Sequence, residues 1–405
     1  MLRLLQCAAA FQSPLHKRHV PLSFHPSLTE YETAVASIDT DGGATSTATH
    51  PFIVETKANI SKQTLPFDGG DQEAITLVPI SRNPVILRTS APILKSQEEC
   101  DAVAAFFEYV AGGACSNAND KPNSSKPDTE LVEYGAELFQ FAQRTINDLV
   151  GGSDNDAESS LPRFLTYDPQ DPPIGGLAPS RDELLPDGLH VDNNNGMHFR
   201  YMTVLFYLTS NNAGATTFPL AIPTSHEDNV MEGRDLTMTS TAATTATSTN
   251  AKEMEVLAQE LIENGIYHTR GHSKLSDDEI EESSQAAIAL DIIENAAVDL
   301  YQRQNPGGQR TSSHGRGVRV LPEAGYACVF LNLDESGCPD PLAFHGGENL
   351  LDVWGDGKQK KLLTFFREVP VQEFKTRNEF LERANERRDV ILHRYFSQQW
   401  HEQQR

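Results

Sequence analysis

Cysteine is sparse in this chain. Cys7, Cys100, Cys115, Cys328 and Cys338 are odd in number and scattered, and none sits in a CxxC pair. That excludes a zinc knuckle and offers no disulfide framework. Apolar runs are short, and none approaches the roughly 18 residues that cross a bilayer, so no transmembrane segment is expected. Cationic side chains are outnumbered, with 33 Lys plus Arg against 57 Asp plus Glu and a formal charge of −24. A surface that acidic repels phosphate backbones, so nucleic acid is not an expected partner. Hydrophobic residues make up only 38% of the 405, so part of the length lies outside any core. One large domain with insertions accommodates that balance.

Acidic residues are missing from positions 1–29, where Arg3, Lys17 and Arg18 stand. The apolar stretch 4–11 is short and broken by Gln6, unlike a secretory signal. An organellar transit peptide and an untargeted, disordered leader both fit. A cytoplasmic or an ER-lumenal location is compatible with the rest, and the oligomeric state is left open.

Residues 1–80 lack sustained periodicity and are rich in Ser, Thr, Pro and Gly, so they read as tail. P-V-I-L-R-T-S (84–90) reads as a strand, and Ser96 before Glu98 and Glu99 as the N-cap of a helix within 92–110. After a polar gap (116–128), Leu131, Tyr134, Leu138, Phe141, Ala142 and Ile146 recur at helical spacing. From Leu161 the texture becomes β-branched and aromatic, in short runs bounded by Pro, Gly and Asn, which predicts a mainly antiparallel core through about 370. A Thr/Ala/Ser tract (237–249) and helical stretches at 251–264 and 276–303 mark 223–316 as a partly helical insertion. A charged helix is expected over 371–405.

The chemistry starts in L-H-V-D-N-N-N-G (189–196). Two residues apart on a strand, His190 and Asp192 share a face, so an imidazole nitrogen and a carboxylate oxygen can converge on one ion. With a distant imidazole they make the facial triad of non-haem Fe(II) oxygenases. A bare HxD is common, and its surroundings decide its meaning. Downstream stand R-Y-M-T-V-L-F-Y-L-T-S-N-N-A-G-A-T-T-F-P (200–219) and G-Y-A-C-V-F-L-N-L-D-E-S-G-C-P-D-P-L-A-F-H-G-G-E-N-L (325–350). In that order these motifs strongly resemble the prolyl 4-hydroxylase branch of the 2-oxoglutarate- and Fe(II)-dependent dioxygenases. The resemblance covers about 160–220 and 317–370, with an echo in E-E-C-D at 98–101.

Carried over residue by residue, the resemblance makes His190, Asp192 and His345 the iron ligands. His345 lies 155 positions after His190, a separation the insertion explains. His268, His272 and His314 lack a strand context, and His198 reads as lining or surface. The 2-oxoglutarate carboxylate needs a cation, since a buried carboxylate without a partner is costly. Aligning K-x-L-L with the family's strand picks Lys360, fifteen residues after His345 and further along than the family's spacing, with Lys358 on the same face as runner-up and Lys361 facing away. Tyr167 in F-L-T-Y-D-P and Thr216 before Phe218-Pro219 match the family's neutral donors, with Thr217 the alternative in an altered A-G-A-T-T-F-P turn.

The implied fold is α+β and mainly β: a double-stranded β-helix (jelly-roll, cupin-like) core with N-terminal supporting helices. The implied activity is hydroxylation of a prolyl residue in a peptide or protein, with O2 consumed, 2-oxoglutarate decarboxylated to succinate, and L-ascorbate keeping iron reduced. Two other readings stay open. The altered turn and the long 168–189 loop fit another peptide residue or a small molecule. A catalytically silent β-helix could instead serve as an interaction module through its insertion and last helix.

Overall fold

A computed structural model describes residues 74–115, 129–151, 162–169, 180, 184–192, 200–224, 247–263, 285–304, 317–350 and 358–403. Positions 1–73, the polar gap, most of the Thr-rich tract, His198, His268, His272, His314 and Trp354 lie outside the described residues. Strand β1 (Leu77–Asn83) starts inside the segment read as tail and pairs antiparallel with β2 (Ile86–Thr89). Helices α1 (Gln97–Cys115) and α2 (Thr129–Val150) follow. Then come β3 (Arg163–Tyr167), β4 (Asp187–His190), β5 (Arg200–Tyr207), β6 (Thr216–Phe218) and β7 (Ile222–Pro223). Helices α3 (Thr247–Glu263) and α4 (Gln285–Gln304) precede β8 (Val318–Val320), β9 (Ala327–Leu331), β10 (His345–Gly347) and β11 (Lys360–Glu368), and α5 (Arg377–Gln403) ends the described chain.

The strands form two antiparallel sheets, one ordered β3-β11-β5-β9-β2-β1-β7 and one ordered β4-β10-β6-β8. With helices set apart from antiparallel sheets, the class is α+β, as expected. Period-two alternation sorts each central strand between two cores. On β5, Met202, Val204 and Phe206 enter a cluster with α1, α2 and α5. Leu205 and Tyr207 point the other way, joining Phe218 and Val320 of the smaller sheet. β9 splits likewise, with Val329 toward the helices and Phe330 toward the smaller sheet. Being buried on both faces explains why these strands read as continuous apolar runs rather than alternating ones.

The helix signals hold in detail at the first N-terminus. The Glu99 amide donates to the Ser96 hydroxyl at 3.2 Å, and the Glu99 carboxylate accepts from the Ser96 amide at 3.3 Å, a reciprocal capping box. At α5 the Glu379 amide donates to Thr376 Oγ1 at 3.2 Å, and its carboxylate accepts from the Lys375 amide at 2.6 Å. The expected stripe on α2 is rotated. Leu131 and Tyr134 are exposed, whereas Val132, Leu138, Phe139, Ala142 and Ile146 are buried. Phe139 explains the shift, because its ring packs on Phe107 and Phe365 and draws that side of the helix inward. Leu138→Ala is therefore expected to lower unfolding free energy by ~2–5 kcal/mol, and Leu131→Ala by less than ~0.5 kcal/mol, in matched urea titrations.

Candidate metal centre

β4 and β10 pair antiparallel with His190 directly opposite His345. Directly opposed residues point to the same face, and here the ring centroids are 4.5 Å apart. The ladder stops at His190, so Asp192 stands in the turn just beyond the strand rather than on it. It still reaches the pair: Asp192 Oδ1 is 3.3 Å from His190 Nε2, and Oδ2 is 3.7 Å from His345 Nε2. One ligand atom from each of the three lies within 4.8 Å of the others.

The neighbours prepare these atoms for a cation. His190 Nδ1 is 2.7 Å from the Gly188 carbonyl, and His345 Nδ1 is 2.9 Å from that of Ala343. Both imidazoles thus donate through Nδ1 and leave Nε2 turned inward with a lone pair. Thr203 donates to Asp192 Oδ2 at 2.6 Å and accepts from Asn332 Nδ2 at 2.9 Å. Arg200 Nη1 holds the Asp192 backbone carbonyl at 3.2 Å. Burial pushes the Asp192 carboxyl up; the His345 and His190 imidazoles and the Thr203 hydroxyl outweigh that and hold it well below the usual carboxylate range. An anionic oxygen between two imidazole nitrogens is the donor set of a two-His, one-carboxylate metal site, so these residues fit a divalent transition metal. Side-chain exposure is 22% at His190 against 7% at Asp192 and at His345, so the site opens on the His190 side.

Deeper in the same interior lies a cationic cradle. Lys360 heads β11 opposite Tyr167 of β3. It is buried, and its ammonium donates to the Gly214 carbonyl at 2.6 Å. Gly214 has φ +70, and a Cβ there would meet Leu350 at 2.6 Å and the Lys360 stem at 3.4 Å, so only glycine brings this carbonyl to the lysine. The ammonium stands 5.3 Å from the Tyr167 ring centroid and 6.0 Å from that of Tyr207, and it makes no ion pair among the described residues. Burial lowers its pKa to about 8, and the Glu348 charge only partly offsets this. Tyr207, driven well above its ordinary value by burial, stays a neutral phenol, and its oxygen is 2.9 Å from Thr216 Oγ1.

Lys360, Tyr167 and, through Tyr207, Thr216 lie close together, whereas Lys358 does not join them. It precedes the strand, exposed, so alternation does not carry it inward. Lys361 faces outward as expected and pairs with Glu108 of α1 at 2.7 Å. Thr217 turns to the opposite face of β6 and donates to Glu348 at 2.7 Å. Sequence reasoning assigned no role to Tyr207, Thr203 or Asn332. Alternation along β5 was the available signal, since it puts Thr203 and Tyr207 on the inward face.

No family model matches this chain, and no curated protein matches it. Among solved structures it is similar to the viral collagen prolyl hydroxylase of Paramecium Bursaria Chlorella virus-1, at 10% identity and a TM-score of 0.26, over 75% of this chain and 98% of that one. A TM-score of 0.26 is too low to establish a common fold. The metal-binding geometry therefore stands on this chain's own residues.

Two outcomes follow. Thr203→Val, which removes the donor to Asp192, is expected to weaken Fe(II) or Co(II) binding by about 10- to 100-fold in a competition titration. With its folded value near 8 and an ordinary value of 10.5, Lys360 makes stability rise with pH between the two, because the unfolded chain there binds the extra proton. Lys360→Met should abolish that rise. At pH 7 it should stabilise the metal-free protein by roughly 2 kcal/mol, about 3 from the shift less about 1 for the lost hydrogen bond, in urea titrations.

Proposed function

We propose that this protein is an Fe(II)- and 2-oxoglutarate-dependent dioxygenase that hydroxylates a prolyl residue of a peptide or protein, on a double-stranded β-helix formed by its two facing sheets. The observation that carries the reading is a pairing. A two-His, one-carboxylate group open on one side shares its interior with a buried ammonium that has no carboxylate partner among the described residues. A buried, unpartnered cation beside neutral hydroxyl donors is suited to an anionic guest.

His190, Asp192 and His345 would hold the iron, which supplies oxygen activation coupled to decarboxylation of 2-oxoglutarate. Lys360 would take the distal carboxylate of 2-oxoglutarate, with Tyr207, Thr216 and Tyr167 as neutral donors. Lys360 and Tyr207 orient the cosubstrate from the closed end of the interior, leaving the His190 side for the substrate. Phe218 and Phe330 pack on the His345 ring, with centroids at 5.4 and 4.6 Å, and keep that flank dry. The prolyl assignment rests on the sequence motifs, as does the use of ascorbate to keep iron reduced.

The test is turnover. Purified protein with Fe(II), ascorbate, 2-oxoglutarate and proline-rich peptides is expected to release succinate and to add one oxygen atom to proline, read by peptide mass. Succinate without peptide modification would transfer the chemistry to another substrate. Absence of succinate together with absence of metal binding would leave a silent module. His345→Ala is expected to abolish metal binding, and Lys360→Ala to raise the 2-oxoglutarate requirement sharply while Lys358→Ala leaves it unchanged.

A further inference from the structure

The strand that carries the metal pair is weakly held within its own sheet. β4 is an edge strand, and among the described residues its only sheet neighbour is β10. Asp192 lies past the last ladder position, so hydrogen bonding between strands does not fix it. Something else must hold this backbone from its outer face.

Alternation identifies the support. Leu189, within β4, points away from His190, and Val191 and Phe344, the chain neighbours of Asp192 and His345, join it in the same apolar cluster. All three are fully buried, and the cluster that buries them is built mostly from α3 and α4, including Leu257, Leu261, Leu290 and Ile293. α3 also packs on the short 3-10 turn Pro341–Ala343, directly before His345. α4 continues to the far edge of the same sheet. Its Leu300 fills the space beside Gly317, where a Cβ would meet Leu300 Cδ2 at 2.7 Å, and its Tyr301 ring lies 5.2 Å from the Arg319 guanidinium. That guanidinium makes a two-pronged pair with Glu348, both side chains buried, just after the His345 strand.

We infer that the α3–α4 pair of the insertion is a positioning element of the metal centre: it presses Leu189, Val191 and Phe344 from outside and so sets where the three ligands stand. The inference rests on the metal reading above. It predicts a coupling that a surface decoration would not show, because an element that orders the ligands is in turn ordered by the metal.

The test compares equal deletions in two cores of the whole protein, with Co(II) as a visible probe. Ile293→Ala, in α4, is expected to loosen Co(II) binding by about tenfold or more and to alter its d–d spectrum. Ile146→Ala, a similarly buried isoleucine of α2 against the other sheet, should leave both within about twofold. Ile293→Val should restore most of the affinity. Equal effects at the two sites, or none at Ile293, would overturn the inference while leaving the metal reading intact. Wild-type protein that binds no Co(II) would overturn both. A readout independent of the variants' folding is amide exchange on the wild type, where Co(II) should slow α3 and α4 more than α2. Equal slowing would overturn the inference.

Discussion

The opposition of His190 and His345 across one antiparallel strand pair is the constraint on which the site depends. Directly opposed positions hold two side chains on one face at fixed spacing, so one register decides whether two imidazoles can share an ion. A one-residue slip of β4 against β10 would turn His190 into the layer where Leu189 and Val191 now sit, while His345 would keep its face because β6 also holds β10. The apolar cluster formed by those alternating residues resists such a slip. Asp192, beyond the ladder, depends instead on Thr203 and on Arg200, both on β5 of the larger sheet. The three ligands are therefore stitched across both sheets, two by backbone register and one by side-chain hydrogen bonds.

Charge is distributed in this interior with a clear asymmetry. Arg319 and Glu348 are buried as a pair, with Thr217 completing the carboxylate's hydrogen bonds. Asp192 is buried between two imidazoles and a hydroxyl. Lys360 is buried, and among the described residues its close partner is the Gly214 carbonyl. Burying an ammonium this way costs stability unless an anion joins it, and its pKa, lowered to about 8, reports that cost. Buried polar groups that a folded chain tolerates at a cost tend to mark where a ligand completes them.

Much of this was legible in the residues. The family resemblance carried by the motifs around H-x-D and F-H-G-G implied three ligands, and the three do converge. Ser96 and Glu99 announced the start of α1, and the cap is present. Alternation separated Lys360 from Lys361 correctly. It failed for Lys358, because alternation holds only inside a strand and β11 begins at Lys360. The α2 stripe was misphased because aromatic packing from Phe107 and Phe365, distant in the chain, decides which side of that helix is buried.

By itself the sequence determined composition-level facts and short-range ones: an acidic surface, strand and helix texture, caps, and which side chains can bind a cation. Those follow from local chemistry, which needs no knowledge of what lies opposite. Tertiary structure alone decided what meets across 155 positions of chain: that His345 stands opposite His190, that Tyr207 joins Thr216 beside Lys360, and that α3 and α4 back the ligand strands. Such meetings depend on strand register and on the packing of both sheet faces at once, and no local spacing encodes them.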